Sequence, residues 1–101
     1  MFIAATIEVK SKHAPLSSCF GKAKYYAFFD GEKLYIDENP YSVGEKVYVW
    51  LLQKGVTHFS LKEQSKIPCI LKNQNKIMLL YLTQQRNVRL DEMVKQYFKH
   101  L

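Results

Sequence analysis

The chain has 101 residues, of which 48% are hydrophobic and 14% aromatic, which excludes a disordered chain and predicts one domain over residues 1–101. Its net charge of +6 is spread along the chain without a block of like charges, which favours anionic partners but does not choose among them. No apolar run approaches the length of a membrane span, and the N-terminal residues lack the features of a signal peptide, so we expect a cytoplasmic protein.

The first part of the chain predicts three strands. Residues 1–9 are apolar on both faces, which is typical of a central strand covered on both sides, and residues 10–18 form a polar, basic loop. Residues 24–30 are rich in tyrosine and phenylalanine and predict a second strand. The turn signal at Asp30–Gly31 leads into a third strand over residues 33–37, so these two strands form a hairpin.

A helix and a fourth strand follow. Ser42 and Glu45 have the spacing of a capping box, and the apolar residues after them recur at helical intervals. Gly55 is expected to end the helix as a left-handed cap. Residues 56–61 then predict a short strand.

The last part of the chain predicts two helices around a fifth strand. A polar loop over residues 62–65 leads into a second helix over residues 65–74, which Ser65 would cap. Residues 77–82 are fully apolar and predict a strand covered on both faces. From Leu90 to the end of the chain, apolar residues form one helical stripe.

This order of elements predicts the fold class. Helical crossovers between strands require parallel pairing and right-handed connections, whereas the hairpin adds an antiparallel strand. We therefore expect a three-layer α/β domain with a mixed five-stranded sheet and three helices.

Three segments of the chain resemble a known family. They are SSCFGKAKYYAFFD, NPYSVGEKVYVWLLQKGVTHFSL and LDEMVKQYF, and in their order and spacing they resemble the dinitrogenase iron–molybdenum cofactor biosynthesis proteins, of the NifX and NifB C-terminal type. The resemblance implies a ribonuclease-H-like domain that binds or carries iron–sulfur-type cofactor precursors. It also implies that the first and fourth strands are neighbours.

The chain departs from the family pattern at two places. The family's first loop ends in Ser-x-His-Phe-Gly-Arg/Lys-Ala, which residues 17–23 follow, but Cys19 stands in place of the histidine. The family's glycine-rich loop after the fourth strand corresponds to residues 62–65, where side chains replace glycine and would crowd a bulky ligand. Cys19 therefore either takes over metal binding or marks its loss.

The candidate site lies where the first and fourth strands end, because ligands of open α/β sheets bind at the carboxyl ends of the strands. The candidate cofactor-binding residues are Lys10, Lys12, His13, Ser17, Ser18, Cys19, Lys22, Lys62 and Ser65. Cys19 is the candidate metal ligand, since thiolate is the usual ligand of iron–sulfur clusters, and the lysines would attract negative charge. Cys69 is expected to pack against the sheet, and both cysteines are expected to be free thiols.

Enzyme activity is not expected. A nuclease of this fold needs several carboxylates for its metal ions, and the first strand offers only Glu8. Cys19 with His13 lacks an orienting acid for hydrolysis. The aromatic run Tyr25–Phe29 among lysines is similar to a nucleic-acid stacking platform, but its continuous apolar character favours a buried strand.

The expected function is that of a small, non-enzymatic carrier or scaffold for an iron–sulfur or iron–molybdenum-type cofactor, with metallocofactor-assembly proteins as partners. Two alternatives stay open. One is a protein-interaction domain of the same shape that has lost its cofactor, and the other is a basic nucleic-acid-binding module.

Overall fold

The computed structural model describes residues 1–62, 67–81 and 88–97, and it shows a five-stranded mixed sheet with helices on both faces. The strands are β1 (Ile3–Ile7), β2 (Tyr25–Phe29), β3 (Leu34–Glu38), β4 (His58–Leu61) and β5 (Met78–Tyr81). The helices are α1 (Gly44–Lys54), α2 (Cys69–Lys72) and α3 (Leu90–Tyr97). The elements follow one another in the predicted order, and the predicted fold class is confirmed.

The strand order across the sheet is β3-β2-β1-β4-β5. β1 pairs antiparallel with β2 and parallel with β4, and β4 pairs parallel with β5. The register of the central parallel pair places Ile3 beside His58 and Ala4 beside Phe59. The first and fourth strands are therefore neighbours, as expected, and Glu8 and Lys62 directly follow them at the same edge of the sheet.

Two apolar cores cover the two faces of the sheet. The α1-side core contains the buried residues Ala4, Phe20, Ala23, Tyr26, Phe28, Val47, Leu51, Val56, Phe59, Leu61, Leu71 and Ile77. The α3-side core contains the buried residues Ile3, Ala5, Ile7, Ala14, Leu16, Ala27, Val88, Leu90 and Met93. Because neighbouring residues of a strand point to opposite faces, the apolar runs of β1 and β2 supply both cores, which confirms that both strands are covered on each side.

The start of α1 differs from the prediction. Val43 precedes the helix in an extended conformation, and no side-chain hydrogen bond caps it, so the capping box of Ser42 and Glu45 is wrong. The reason is a tertiary contact, because the backbone of Gly21 packs against Val43 and Gly44 where the helix begins. The end of α1 is as predicted, with Gly55 in the left-handed region at a φ of 88°.

The second half of the chain contains two further corrections. α2 is a single turn that begins at Cys69, and the predicted cap Ser65 lies outside the described residues. β5 was predicted to be covered on both faces, and it is covered only in part, at the edge of the sheet. Leu79 and Leu80 pack on opposite faces, as predicted, but the Met78 side chain is 64% exposed. Among the helices that the structure describes, none has the length and apolar character to span a membrane.

Candidate functional site

A hydrogen-bonded node built on Glu8 and Ser17 begins the loop after β1. Ser17 donates its backbone N–H to the carbonyl oxygen of Thr6 (2.7 Å) and its hydroxyl to Glu8 Oε1 (2.8 Å). Glu8 Oε2 accepts the backbone N–H of Lys24 (3.3 Å), just before β2. Ser17 Oγ also accepts the backbone N–H of Cys19 (3.1 Å). Ser17 was predicted to line a ligand site, but its hydroxyl holds the loop in place.

The loop divides between the two faces of the sheet. Ala14 and Leu16 are buried in the α3-side core, whereas Phe20 and Ala23 are buried in the α1-side core. The chain therefore crosses the carboxyl edge of the sheet between residues 16 and 20. The predicted site residues, which sequence reasoning placed in one pocket, separate into two groups at this crossing.

The first group lies against the start of α3. The backbone N–H of Leu90 donates to the carbonyl oxygen of Ala14, and that of Asp91 donates to the carbonyl oxygen of Lys12, both at 2.8 Å. His13 Nδ1 lies 3.1 Å from Asp91 Oδ2. Lys12 and His13 therefore belong to a contact between the loop and α3.

The partner of His13 corrects one expectation. His13 was thought to have no orienting acid, but Asp91, from the other end of the chain, takes that position. Partial burial alone would raise the pKa of Asp91, yet the hydrogen bond with His13 and the charge of Arg89 keep that pKa below its usual value. The distance of 78 residues between His13 and Asp91 explains why no local pattern revealed the pair.

The second group consists of Cys19 and Lys22, which flank Phe20 and Gly21 in the chain. Phe20 and Gly21 line an open cavity of about 460 Å³, here named the loop groove. Its walls come from the end of the loop, the start of α1 and the start of α2. The lining residues are Phe20, Gly21, Val43, Gly44, Glu45, Pro68, Cys69 and Ile70. The groove thus lies beside the Cys-Phe-Gly segment that carries the family resemblance.

Both cysteines are exposed free thiols. Cys19 immediately precedes Phe20, one of the groove residues, and was predicted as the candidate ligand. Cys69 was expected to pack against the sheet, and this is wrong. It begins a one-turn helix whose buried residue is Leu71, and it is itself exposed and one of the residues that line the loop groove. Sequence reasoning missed Cys69 because it assumed a longer helix with an apolar face at this position.

The Phe-Gly pair has a structural role. The Phe20 ring packs edge-on against the rings of Tyr26 and Phe59, with centroid distances of 6.0 and 5.3 Å. A Cβ at position 21 would lie 2.7 Å from the backbone nitrogen of Gly44, closer than any allowed contact. Only glycine lets the loop approach the start of α1 this closely.

Asn39 is a further residue of the site that sequence reasoning missed. Its Nδ2 donates to the carbonyl oxygens of Gly21 (2.9 Å) and Ala23 (2.8 Å), while its Oδ1 accepts the backbone N–H of Tyr41 (3.0 Å). The sequence predicted only that Asn39 and Pro40 end the strand. The side chain in fact fixes one wall of the loop groove from the end of β3.

Tyr26 is a fully buried residue whose hydroxyl contacts the loop. Its hydroxyl donates a hydrogen bond to the carbonyl oxygen of Phe20. Burial raises the pKa of Tyr26 strongly, and the nearby acidic groups of Cys19 and Glu8 raise it further.

The remaining predicted site residues vary in exposure. Lys10, Ser18 and Lys22 are exposed, and Lys62 is partly buried directly after β4. Ser65 lies outside the described residues. Over the described ranges, no three or more histidine, cysteine, aspartate or glutamate side chains come together as a metal site would require.

His58 and Trp50 both contact neighbouring side chains of the fold. His58 Nδ1 lies 2.7 Å from the hydroxyl of Thr57, and burial lowers the pKa of the imidazole. The Trp50 ring packs edge-on against Tyr26 and Phe28, with centroid distances of 5.5 and 5.6 Å.

Comparison with known proteins adds evidence about the fold. No protein-family model matches the chain, and no curated protein matches it. Among solved structures, a NifB-like protein from Thermotoga, of the DUF35 family, superposes with a TM-score of 0.73 over 98% of this chain and 88% of its own, at 17% identity. The crystal structure of PH0822 superposes with a TM-score of 0.72 over 98% of this chain and 91% of its own, also at 17% identity. At this identity the likeness establishes a shared α/β fold.

Proposed function

We propose that this chain is a small, non-enzymatic binding protein that carries an iron–sulfur or iron–molybdenum-type cofactor at the loop groove. The observation that carries the proposal is the presence of two exposed thiols at this groove, one on its wall and one directly before it. In this proposal Cys69 supplies a second sulfur ligand in addition to Cys19, which takes the place of the family's histidine. Thiolate sulfur is the usual protein ligand of iron in such cofactors.

The number of ligands decides which kind of binding is proposed. A stable cluster held by protein alone takes about four thiolates, and two thiols are half of that set. Such a donor set fits a cofactor that brings its remaining ligands with it, or that shares ligands with a donor or acceptor protein during transfer. We therefore propose transient carriage, with metallocofactor-assembly proteins as partners, rather than permanent storage.

The contacts of Glu8 favour a binding protein over an enzyme. Both of its carboxylate oxygens accept hydrogen bonds from the protein, from Ser17 Oγ and from the backbone of Lys24. The carboxylate that a nuclease would need for metal binding is thus already engaged in holding the loop. A hydrolase would need Cys19 and His13 together. His13 pairs with Asp91 on the α3 side of the sheet, whereas Phe20, next to Cys19, packs on the α1 side.

The burial of three of the four aromatic residues in the Tyr25–Phe29 run speaks against the nucleic-acid alternative, whereas Tyr25 is only partly buried. The aromatic residues that would stack on bases, Tyr26, Phe28 and Phe29, are buried within the sheet. The protein-interaction alternative keeps one supporting observation. A second open cavity of about 440 Å³ on the outer side of α1 is lined by residues that include Tyr41, Val49 and Trp50.

The test of the proposed function is reconstitution without oxygen. Protein is incubated with ferrous iron and sulfide, desalted, and assayed for bound iron, bound sulfide and visible absorption. We expect uptake by the native chain, a clear loss of bound iron in Cys19→Ser and in Cys69→Ser, and complete loss in the double variant. Ser42→Ala is the matched control, because Ser42 is exposed, lies next to the groove residue Val43 and is not one of the candidate cofactor-binding residues.

Two results of this experiment would contradict the proposed cofactor binding. Equal iron content in the native chain and the double cysteine variant would show adventitious binding and overturn the proposal. No uptake by any of the proteins would leave the domain as an interaction module without a cofactor.

A further inference from the structure

The edge strand β3 has one side without a strand partner among the described residues. β3 pairs with β2 on one side only, because it is the first strand in the sheet order. The hydrogen bonds at the two ends of this hairpin, from Asp30 N to Lys33 O and from Asn39 N to Lys24 O, show which pairs are hydrogen-bonded. Since such pairs alternate in an antiparallel ladder, the backbone N–H and C=O groups of Leu34, Ile36 and Glu38 point away from β2.

The side chains of β3 also alternate. Leu34 and Ile36 are partly buried against the α3-side core. Tyr35 lies on the other face, where it stacks on Phe28 with a centroid distance of 5.2 Å, and it is 40% exposed. Asp37 lies on the same face as Tyr35.

We propose that two copies of this chain pair through β3 in antiparallel orientation, with Tyr35 on the twofold axis, so that the two sheets become one. In this register each Leu34 lies opposite Ile36 of the other copy, in hydrogen-bonded pairs that use the outward backbone groups. The two Tyr35 side chains face each other across the axis in a non-hydrogen-bonded pair, where side chains approach most closely. This proposal is independent of the proposed function.

Charge complementarity favours this register, and it also favours a second copy of the chain as the partner of β3. With Tyr35 on the axis, each Lys33 lies opposite Asp37 of the other copy, so both outer pairs join opposite charges. Asp37 Oδ2 accepts the Lys54 ammonium at 2.9 Å, which leaves Oδ1 for the second lysine. The neighbouring register, with Ile36 on the axis, would place Leu34 opposite Glu38 and lose both matches.

The contact has one unfavourable pair. Glu38 would lie opposite Glu32 of the other copy, but Glu32 belongs to the Asp30–Lys33 turn and not to the strand. Five residues per strand form a small interface, and we therefore expect a dimer that dissociates in the micromolar to millimolar range. Lys54 helps to hold Tyr35 in position for this contact, because its Nζ lies over the Tyr35 ring, 5.5 Å from the centroid, in a cation–π interaction.

The first test exchanges charges. Lys33→Asp alone and Asp37→Lys alone each place like charges opposite each other in both outer pairs, and each should weaken the dimer by about tenfold or more in sedimentation equilibrium. An equimolar mixture of the two variants should form a heterodimer with near-native affinity, because every outer pair is then complementary. Lys46→Asp, on the exposed surface of α1, is the control and should leave the native affinity unchanged.

The second test is covalent. In a background with Cys19→Ser and Cys69→Ser, Tyr35→Cys should give a disulfide-linked dimer on mild oxidation, since Cα atoms of a non-hydrogen-bonded pair are about 4.5 Å apart and within disulfide range. Val49→Cys, at an exposed position on α1, should stay mostly monomeric under the same conditions. A chain that is monomeric up to millimolar concentration, or a dimer whose affinity the single charge variants do not change, would overturn the proposal. Pairing of β3 with another protein's strand in place of a second copy would appear as the first of these outcomes.

Discussion

Gly21→Ala tests whether the close approach of the loop to α1 shapes the groove. The added Cβ would lie 2.7 Å from the nitrogen of Gly44, 3.1 Å from its Cα and 3.2 Å from the carbonyl carbon of Val43. All three atoms belong to the backbone, so no side chain can rotate away. The loop cannot retreat freely either, because Asn39 holds the carbonyl oxygen of Gly21.

The expected cost follows from this geometry. Gly21 is not among the glycines with a positive φ, so the loss is steric and has the size of an overpacked contact, about 1–3 kcal/mol of unfolding free energy. The matched control is Gly44→Ala on the other side of the same contact. Its Cβ would meet its nearest atom, Phe20 Cδ2, at an ordinary 3.5 Å, and alanine favours the helix, so stability should stay equal or rise by up to about 1 kcal/mol.

The assay is urea denaturation followed by circular dichroism and by the fluorescence of Trp50, the single tryptophan of the chain. Both variants should keep the native spectrum in buffer. If Gly21→Ala were as stable as Gly44→Ala, the backbone contact between the loop and α1 would not be as tight as described, and the explanation for the Phe-Gly pair would be refuted.

Two further predictions concern contacts that position the loop. Asn39→Ala should lower the unfolding free energy by about 1–3 kcal/mol in the same assay, because two carbonyl oxygens lose their donor, and Asn39→Asp should also destabilise since it keeps only the acceptor; full stability of either would contradict this role. Asp91→Asn should flatten the loss of stability in acid. The pKa of Asp91 is lowered in the folded state, so its contribution is present above its unfolded pKa, near 4, and is lost as the pH falls through the folded value. Solvent screening keeps this contribution below about 1 kcal/mol, and a parallel decline of both proteins between pH 5 and 2 would show that the ion pair adds nothing.

Local patterns were sufficient for most of the fold but not for the boundaries of two helices. The Asp30–Gly31 turn and the Gly55 cap need only a residue that tolerates positive φ, and both lie where they were predicted. The start of α1 depends on the contact between Gly21 and Gly44, which lies outside any local window. The brevity of α2, which leaves Cys69 on the surface, was likewise not visible in the apolar pattern.

The assignment of the candidate residues to a binding site stays a prediction, but the structure shows where each of the described ones lies. Cys19 is exposed after β1, at the edge where ligands of such sheets bind, as expected. Lys12 and His13 were assigned to the same pocket but lie against α3. Closeness in sequence does not show that these residues lie on different sides of the sheet, because the loop crosses from one face to the other within a few residues.

The sequence by itself determined the elements, their order and the doubly covered central strands, because hydrophobic periodicity, turn residues and helix caps act over a few neighbouring residues. The tertiary structure decided which loop residues share a surface, that Asn39 and Gly21 shape the groove, and that the second thiol, of Cys69, lies on its wall. These features depend on contacts between segments far apart in the chain. Their geometry is set by the packing of two cores against one sheet, and no short stretch of sequence contains it.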